Sequence, residues 1–109
     1  MRFLDLTLPQ YWLPRYDWVL SLEVLEHIPH QYESIVLDNI VRAAGSGVVL
    51  SWAPPGQKGF QHINGRYPAY VEHAMFSRHF VADRPKSLAL RQEATLPWFK
   101  KNIVVFVRR

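Results

Sequence analysis

The stretch Tyr16 to Pro29, reading YDWVLSLEVLEHIP, constrains this chain more than any other. Asp17 and Trp18 open a short apolar run of Val19, Leu20 and Leu22. Glu23, Glu26 and His27 follow, and Pro29 closes the segment. A run this short, rich in β-forming residues and ending in polar groups, predicts a buried strand rather than a helix. In open α/β sheets, ligands bind just beyond the carboxyl ends of such strands. Glu23, Glu26 and His27 are therefore candidate functional residues by position.

The segments downstream extend that strand into a layered unit. From Gln31 to Ala44, Tyr32, Val36, Leu37, Ile40, Val41 and Ala44 recur at helical spacing. Glu33, Ser34, Asp38, Asn39 and Arg42 fall on the opposite face, which predicts an amphipathic helix lying on a sheet. Glu33 near its start and Arg42 near its end suit the helix dipole, and Gly45 supplies a stop. Gly47 to Trp52, GVVLSW, reads as a second buried strand. Strand, helix and strand make one βαβ unit, so the two strands are expected to be parallel.

Pro54 to Pro68 is a long loop leaving the carboxyl end of that second strand, with three of the five glycines. Loops of this length in a small domain are usually functional or disordered; leaving the carboxyl end of that strand, this one would hang over the same crevice as Glu23 to His27. His62 and Asn64 are its polar groups best able to orient a substrate; the alternative is a surface histidine and a turn-forming asparagine. The loop contains no GxxxxGK[ST] phosphate cradle. Pro68 to Phe80 predicts a second helix, with Pro68 tolerated in the first turn. Ser87 to Ala94 alternates in part and reads as a strand. Ile103 to Val107, IVVFV, reads as another, and the two are expected to form an antiparallel hairpin.

Composition bounds the function classes. The chain has 109 residues, 49% hydrophobic and 14% aromatic, enough for one modest folded domain over residues 1–109. It lacks a run of about 18 apolar residues, so no membrane span is expected. Zero cysteines exclude a disulfide framework and a thiolate metal site. The five histidines show no metal-ligand spacing, and no HExxH occurs. A cytoplasmic protein is the expectation. The net charge of +4 is dispersed apart from Lys100-Lys101 and Arg108-Arg109, which read as solvated charge. A nucleic-acid partner is therefore not favoured.

The Tyr-Asp-Trp-Val strand followed by Val-Leu-Glu-His, at Tyr16 to His27, resembles the fourth strand of class I S-adenosylmethionine-dependent methyltransferases. Ser51 to Gln57 resembles the end of that family's fifth strand, Trp98 to Val107 its closing hairpin, and Phe3-Leu4-Asp5-Leu6 its third strand and following turn. The resemblance implies an α/β, three-layer Rossmann-like methyltransferase sheet, truncated at the amino terminus, with a C-terminal antiparallel hairpin. It implies S-adenosylmethionine as cofactor, with Asp5 and Leu6 near the adenine and Leu22, Glu23 and Val24 near the methionine part. Asp5 alternatively forms a turn. Glu26 and His27 match the family's Glu-His pair. His27 is a candidate base, because imidazole titrates near neutral pH; alternatively the pair caps the next helix and fixes the loop. Methyl transfer from a sulfonium is an in-line displacement in which positioning supplies much of the rate, so no fixed triad is expected.

The chain departs from the family in one respect. All five glycines lie at Gly45 or later, so the glycine-rich turn after the family's first strand has no counterpart. The chain is expected to begin near the third strand and to carry about half of a cofactor site. It is therefore expected to bind S-adenosylmethionine weakly or not at all unless another chain supplies the rest. The central strand is left with an apolar edge, from which a homo-oligomer is expected. The methyl acceptor is not specified. The rival reading is a non-catalytic interaction module that kept the sheet and lost the cofactor site.

Overall fold

The computed structural model describes residues 15–56, 64–95 and 101–109. Within them the chain forms four strands and three α-helices in a three-layer α/β arrangement. Strand β1 is Tyr16–Leu22, where a strand is expected, but it is not buried as expected: it is the end strand of the described sheet, and of its residues only Ser21 is buried. Two short 3-10 turns, Leu25–His27 and His30–Tyr32, lead into helix α1, Glu33–Ala43. Strand β2, Ala44–Ser51, starts directly where α1 ends. Gly45 is thus a strand residue and not a left-handed helix stop. Its lack of a side chain admits the backbone of β1, since a Cβ there would lie 3.1 Å from Tyr16 O.

Helix α2 is Pro68–Phe76, with Pro68 in its first turn. Ser77 to His79 then turn the chain, His79 taking φ 70°, and Phe80–Ala82 forms the three-residue strand β3. Helix α3, Arg84–Glu93, follows, and strand β4 is Ile103–Arg108. The sheet order is β1-β2-β4-β3. β1 and β2 are parallel, as the βαβ pattern predicts, and β4 runs antiparallel to both β2 and β3.

The hairpin expectation requires correction. Ser87 to Ala94 is not a strand: those residues belong to α3, apart from Ala94 at its end. The partial alternation of Leu88 and Leu90 is outweighed by local helix signals. Asp83 caps the helix by accepting from Lys86 N–H at 3.0 Å, Pro85 sits in the first turn, and Lys, Leu, Ala, Arg, Gln and Glu follow. The strand that pairs with β4 from outside is β3, with α3 between the two in sequence.

Helix α3 also completes the edge of the sheet. β3 stops after three residues, and beyond it α3 supplies partners to β4. Asp83 N–H donates to Val105 O at 2.7 Å, Val105 N–H donates to Ser87 Oγ at 2.8 Å, and Arg91 Nε donates to Ile103 O at 2.8 Å. These bonds satisfy backbone groups that an open edge would leave unpaired.

The main core lies on the face covered by α1 and α2. Val48, Leu50, Val104 and Phe106 of the sheet meet Val36, Leu37 and Ile40 of α1 and Val71, Ala74 and Met75 of α2. Two residues assigned by spacing to the outer face of α1 are buried instead: Glu33 is 7% exposed and Asn39 1%. Arg108 and Arg109 are more than solvated charge. Arg108 donates to Val41, Gly45 and Ala44 carbonyls and lies over the Phe80 ring at 4.8 Å. Arg109 lies over Phe76 at 3.9 Å. Among the described residues no helix is long and apolar enough to cross a membrane.

Candidate functional site

The carboxyl ends of β1 and β2 meet at one end of the sheet. Glu23, the first residue past β1, takes φ 53°, uncommon for a residue with a Cβ. Its N–H is held by Ser51 at the end of β2, at 3.0 Å to the carbonyl and 2.8 Å to Oγ. Ser51 Oγ in turn donates to Glu23 Oε2 at 3.2 Å. This double tie turns the chain sharply into the 3-10 turn at Leu25. Leu22 and Val24, on either side, are partly exposed, at 36% and 40%.

The same turn carries Glu26 and His27 in different directions. Glu26 is completely buried. Its Oε2 accepts from Ala53 N–H at 3.4 Å, and its Oε1 lies 3.9 Å from His27 Nε2. Burial pushes its carboxyl above the usual range, with the nearby Glu23 carboxylate adding to the rise. The His27 side chain is 40% exposed.

The returning end of the loop after β2 closes over these residues. Asn64 N–H donates to Glu26 O at 2.9 Å, and Trp52 Nε1 donates to Asn64 O at 2.8 Å. Arg66 N–H donates to Ala53 O at 3.0 Å. The Asn64 side-chain amide donates to Glu33 Oε1 at 3.0 Å, as does Arg66 Nε at 3.1 Å, and the Tyr70 hydroxyl donates to Glu33 Oε2. Arg66 also stacks on Tyr70 at 4.2 Å, and Tyr70 meets Trp52 edge-on at 6.2 Å between centroids.

Glu33 is the hub of this network. Burial pushes its carboxyl up, but the hydrogen bonds from Tyr70 and Asn64 and the Arg66 guanidinium outweigh burial and hold it below the usual range. The same bond raises the Tyr70 hydroxyl. Glu33, Arg66, Tyr70 and Trp52 were not singled out from sequence as site residues. The available signal was weak: an acidic residue at a helix start opposite a loop with one arginine.

The structure therefore brings together Glu23, Glu26, His27 and Asn64, with Leu22 and Val24 beside them. Asn64 is 5% exposed, and its backbone and amide are engaged within the protein. Asp5, Leu6 and His62 lie outside the described residues. Beneath the same end is a water-sized cavity of about 20 Å³, with Trp52, Pro54, Glu72, Arg91 and Lys101 among its walls. No group of three or more metal-ligating side chains occurs among the described residues.

A parallel β1-β2 pair whose next strand, β4, returns antiparallel between β2 and β3 is the second half of the class I methyltransferase sheet. The comparison with solved structures agrees. The chain superimposes on magnesium protoporphyrin IX methyltransferase (ChlM) from Synechocystis PCC 6803 with bound SAH, with a TM-score of 0.67 and 20% identity. The match covers 97% of this chain and 49% of that one. The same enzyme with bound SAM gives a TM-score of 0.63 and 21% identity, covering 97% and 44%. The chain thus has a class I S-adenosylmethionine-dependent methyltransferase-like fold and spans about half the length of the structures it matches. It matches no protein-family model and no curated protein sequence.

Proposed function

We propose that this chain is the carboxyl-terminal part of an S-adenosylmethionine-dependent methyltransferase catalytic domain, inactive by itself. One observation carries the reading: the β1-β2-β4-β3 order, with Leu22, Glu23 and Val24 at the crest where that fold places its cofactor. The residues present fit the cofactor only in part. Leu22 and Val24 offer apolar surface to one side of a ligand, and the Glu23 turn shapes the backbone beside it. Among the described residues no glycine-rich turn opens a helix toward the crest to receive the rest of the molecule. The described glycines serve elsewhere: Gly45 and Gly47 in β2, Gly56 in a turn at φ 87°, and Gly65 against Pro54. So partial a fit supports no catalytic step through the cofactor. In this reading His27 is the exposed base candidate, and Glu26 holds the loop beneath it. With no cysteine in the chain, the proposed setting is the cytoplasm.

The second reading, a non-catalytic module that kept the sheet, draws on the Glu33 network. Its polar groups are spent on the chain itself, which is what a structural role requires. Calorimetric titration of the purified chain with S-adenosylhomocysteine, with mass from light scattering on the same sample, separates the two. The expected result is weak or absent binding by the chain alone. A dissociation constant in the low micromolar range for a monomer would overturn the proposal of inactivity. Binding gained on adding a separate segment that carries a glycine-rich turn supports the methyltransferase reading. No binding under either condition supports the module.

A further inference from the structure

Charges that are dispersed along the sequence are gathered by the fold at one end of the sheet. β2 and β3 begin there, and β4, antiparallel to both, ends there. Helices α1 and α2 also finish at that end, at Ala43 and Phe76. It is the end opposite Glu23.

Four arginines from separate segments meet there: Arg42, Arg78, Arg108 and Arg109. Arg108 donates to the carbonyls of Val41, Ala44 and Gly45, and Arg42 follows Val41 in the last turn of α1. Arg78 donates to Ala74 O at 2.9 Å, and Arg109 Nη2 to Phe76 O at 3.4 Å. Arg109 N–H donates to His79 O at 2.9 Å. Arg78 is neutralised by Asp38, with Nε 2.8 Å from Oδ1. Arg108 and Arg109 are exposed, and the bonds named for their side chains go to carbonyls. Those bonds cancel the negative ends of both helices and orient the guanidinium groups, but they leave the arginine charge in place. Nη1 of each lies outside them.

An exposed ring completes the patch. Phe76 is 49% exposed, and the Arg109 guanidinium lies 3.9 Å from its centroid. Aromatic rings and guanidinium planes are the surfaces on which unpaired bases stack. The patch centres on β4 and β3, the side of the sheet away from β1, so its exposure does not depend on what lies beside β1.

We propose that this patch binds the backbone of a single-stranded nucleic acid, with a base stacked at the Phe76–Arg109 pair. Arginine matches phosphate with two parallel N–H bonds, and single-strand sites combine such charge with aromatic platforms. An acidic peptide would match the charge and leave the ring without a planar partner. The proposal is independent of the cofactor assignment, whose residues lie at the other end of the sheet.

Fluorescence anisotropy of labelled oligouridylate and oligothymidylate of about 12 nucleotides, titrated with the purified chain, tests it. Affinity is expected to fall across about 50–200 mM salt with a log–log slope of about −2 to −3, at about 0.7 per phosphate contacted. Either oligomer binding in this way supports the proposal, and the tighter one identifies the sugar. Arg42→Gln and Arg109→Gln are each expected to weaken binding and to make the slope shallower by about 0.7. Phe76→Leu is expected to weaken binding about 5-fold or more with the slope unchanged. Arg84→Gln and Lys86→Gln make the same charge change on α3 and are expected to leave binding unaltered. Circular dichroism checks that each variant is folded. Absence of salt-dependent binding to either oligomer overturns the proposal. Equal weakening by the α3 variants also overturns it, since attraction would then follow net charge alone. Displacement of the labelled strand by hexaglutamate more readily than by unlabelled oligomer at equal charge assigns the patch to an acidic peptide and overturns it as well.

Discussion

The indole of Trp18 occupies the space that a side chain on Gly47 would need. A Cβ on Gly47 would come 2.3 Å from Trp18 Cζ3 and 2.8 Å from the backbone oxygen of Phe106. The aromatic residue on β1 is thereby seated on β2 and bordered by Val49, Val105 and the Ala89-Leu90 side of α3, around an apolar groove of about 340 Å³. Gly47→Ala is expected to lower stability by about 1–3 kcal/mol, because one obstacle is backbone and cannot swing away. The shift in urea midpoint checks this. An unchanged midpoint would mean that Trp18 is not seated there.

The two buried carboxylates make opposite demands on pH. Glu33 titrates below its ordinary value, so its contribution is present above the unfolded pKa and is lost as pH falls through the folded one. Glu26 titrates above its ordinary value, so its ionisation opposes folding increasingly as pH rises. Glu33→Gln is therefore expected to reduce stability at neutral pH and to flatten its loss in acid. Glu26→Gln is expected to leave neutral-pH stability equal or higher. Denaturant midpoints of both variants across the acid range check the signs, and a large loss in Glu26→Gln at neutral pH would contradict the second.

Tyr70→Phe removes one donor to Glu33 without changing the ring that stacks with Arg66 and Trp52. A hydrogen bond to a charged group is worth about 1.5–3 kcal/mol. Partial exposure of Tyr70 puts the expected loss at the low end. Thermal unfolding at neutral pH measures it, and the deficit is expected to shrink in acid as Glu33 is protonated.

Ser87 is a helix residue acting as a strand partner. Ser87→Ala leaves Val105 N–H buried without its acceptor, at a cost of about 1–3 kcal/mol. Amide exchange is the sharper test: Val105 is expected to exchange faster, with Val48 and Leu50 much less affected.

Strand β1 and the βαβ unit were legible because both depend on local pattern: a short apolar run at Val19 to Leu22 and helical spacing through Ile40. The burial expected of β1 was not, because an apolar run does not tell how many neighbours a strand has, and β1 has only β2 beside it among the described residues. α3 was misread for an equally local reason. Leu88 and Leu90, 57% and 37% exposed, imitate a strand's alternation although they lie on a helix that contacts the sheet through Ser87 and Arg91. The Glu33 network was hidden because its members come from α1, the loop and α2. Proximity of Glu33 to Asn64, Arg66 and Tyr70 is a product of the fold. Glu26 and His27 were found by position, while their different exposures follow from the turn at Glu23, which no residue type announces.

The placement of β4 has a consequence for synthesis. This strand is made after β1, β2 and β3, yet it lies between β2 and β3, not at the rim. A nascent chain that has emerged as far as Thr95 holds β2 with one side bare and β3 with no strand to join. Its core residues Val104 and Phe106 are still to come. Closure of this sheet therefore waits on contacts distant in sequence, the kind that form slowly. A ribosome stall shortly before Ile103 would expose an intermediate with two unpaired strand edges at its centre.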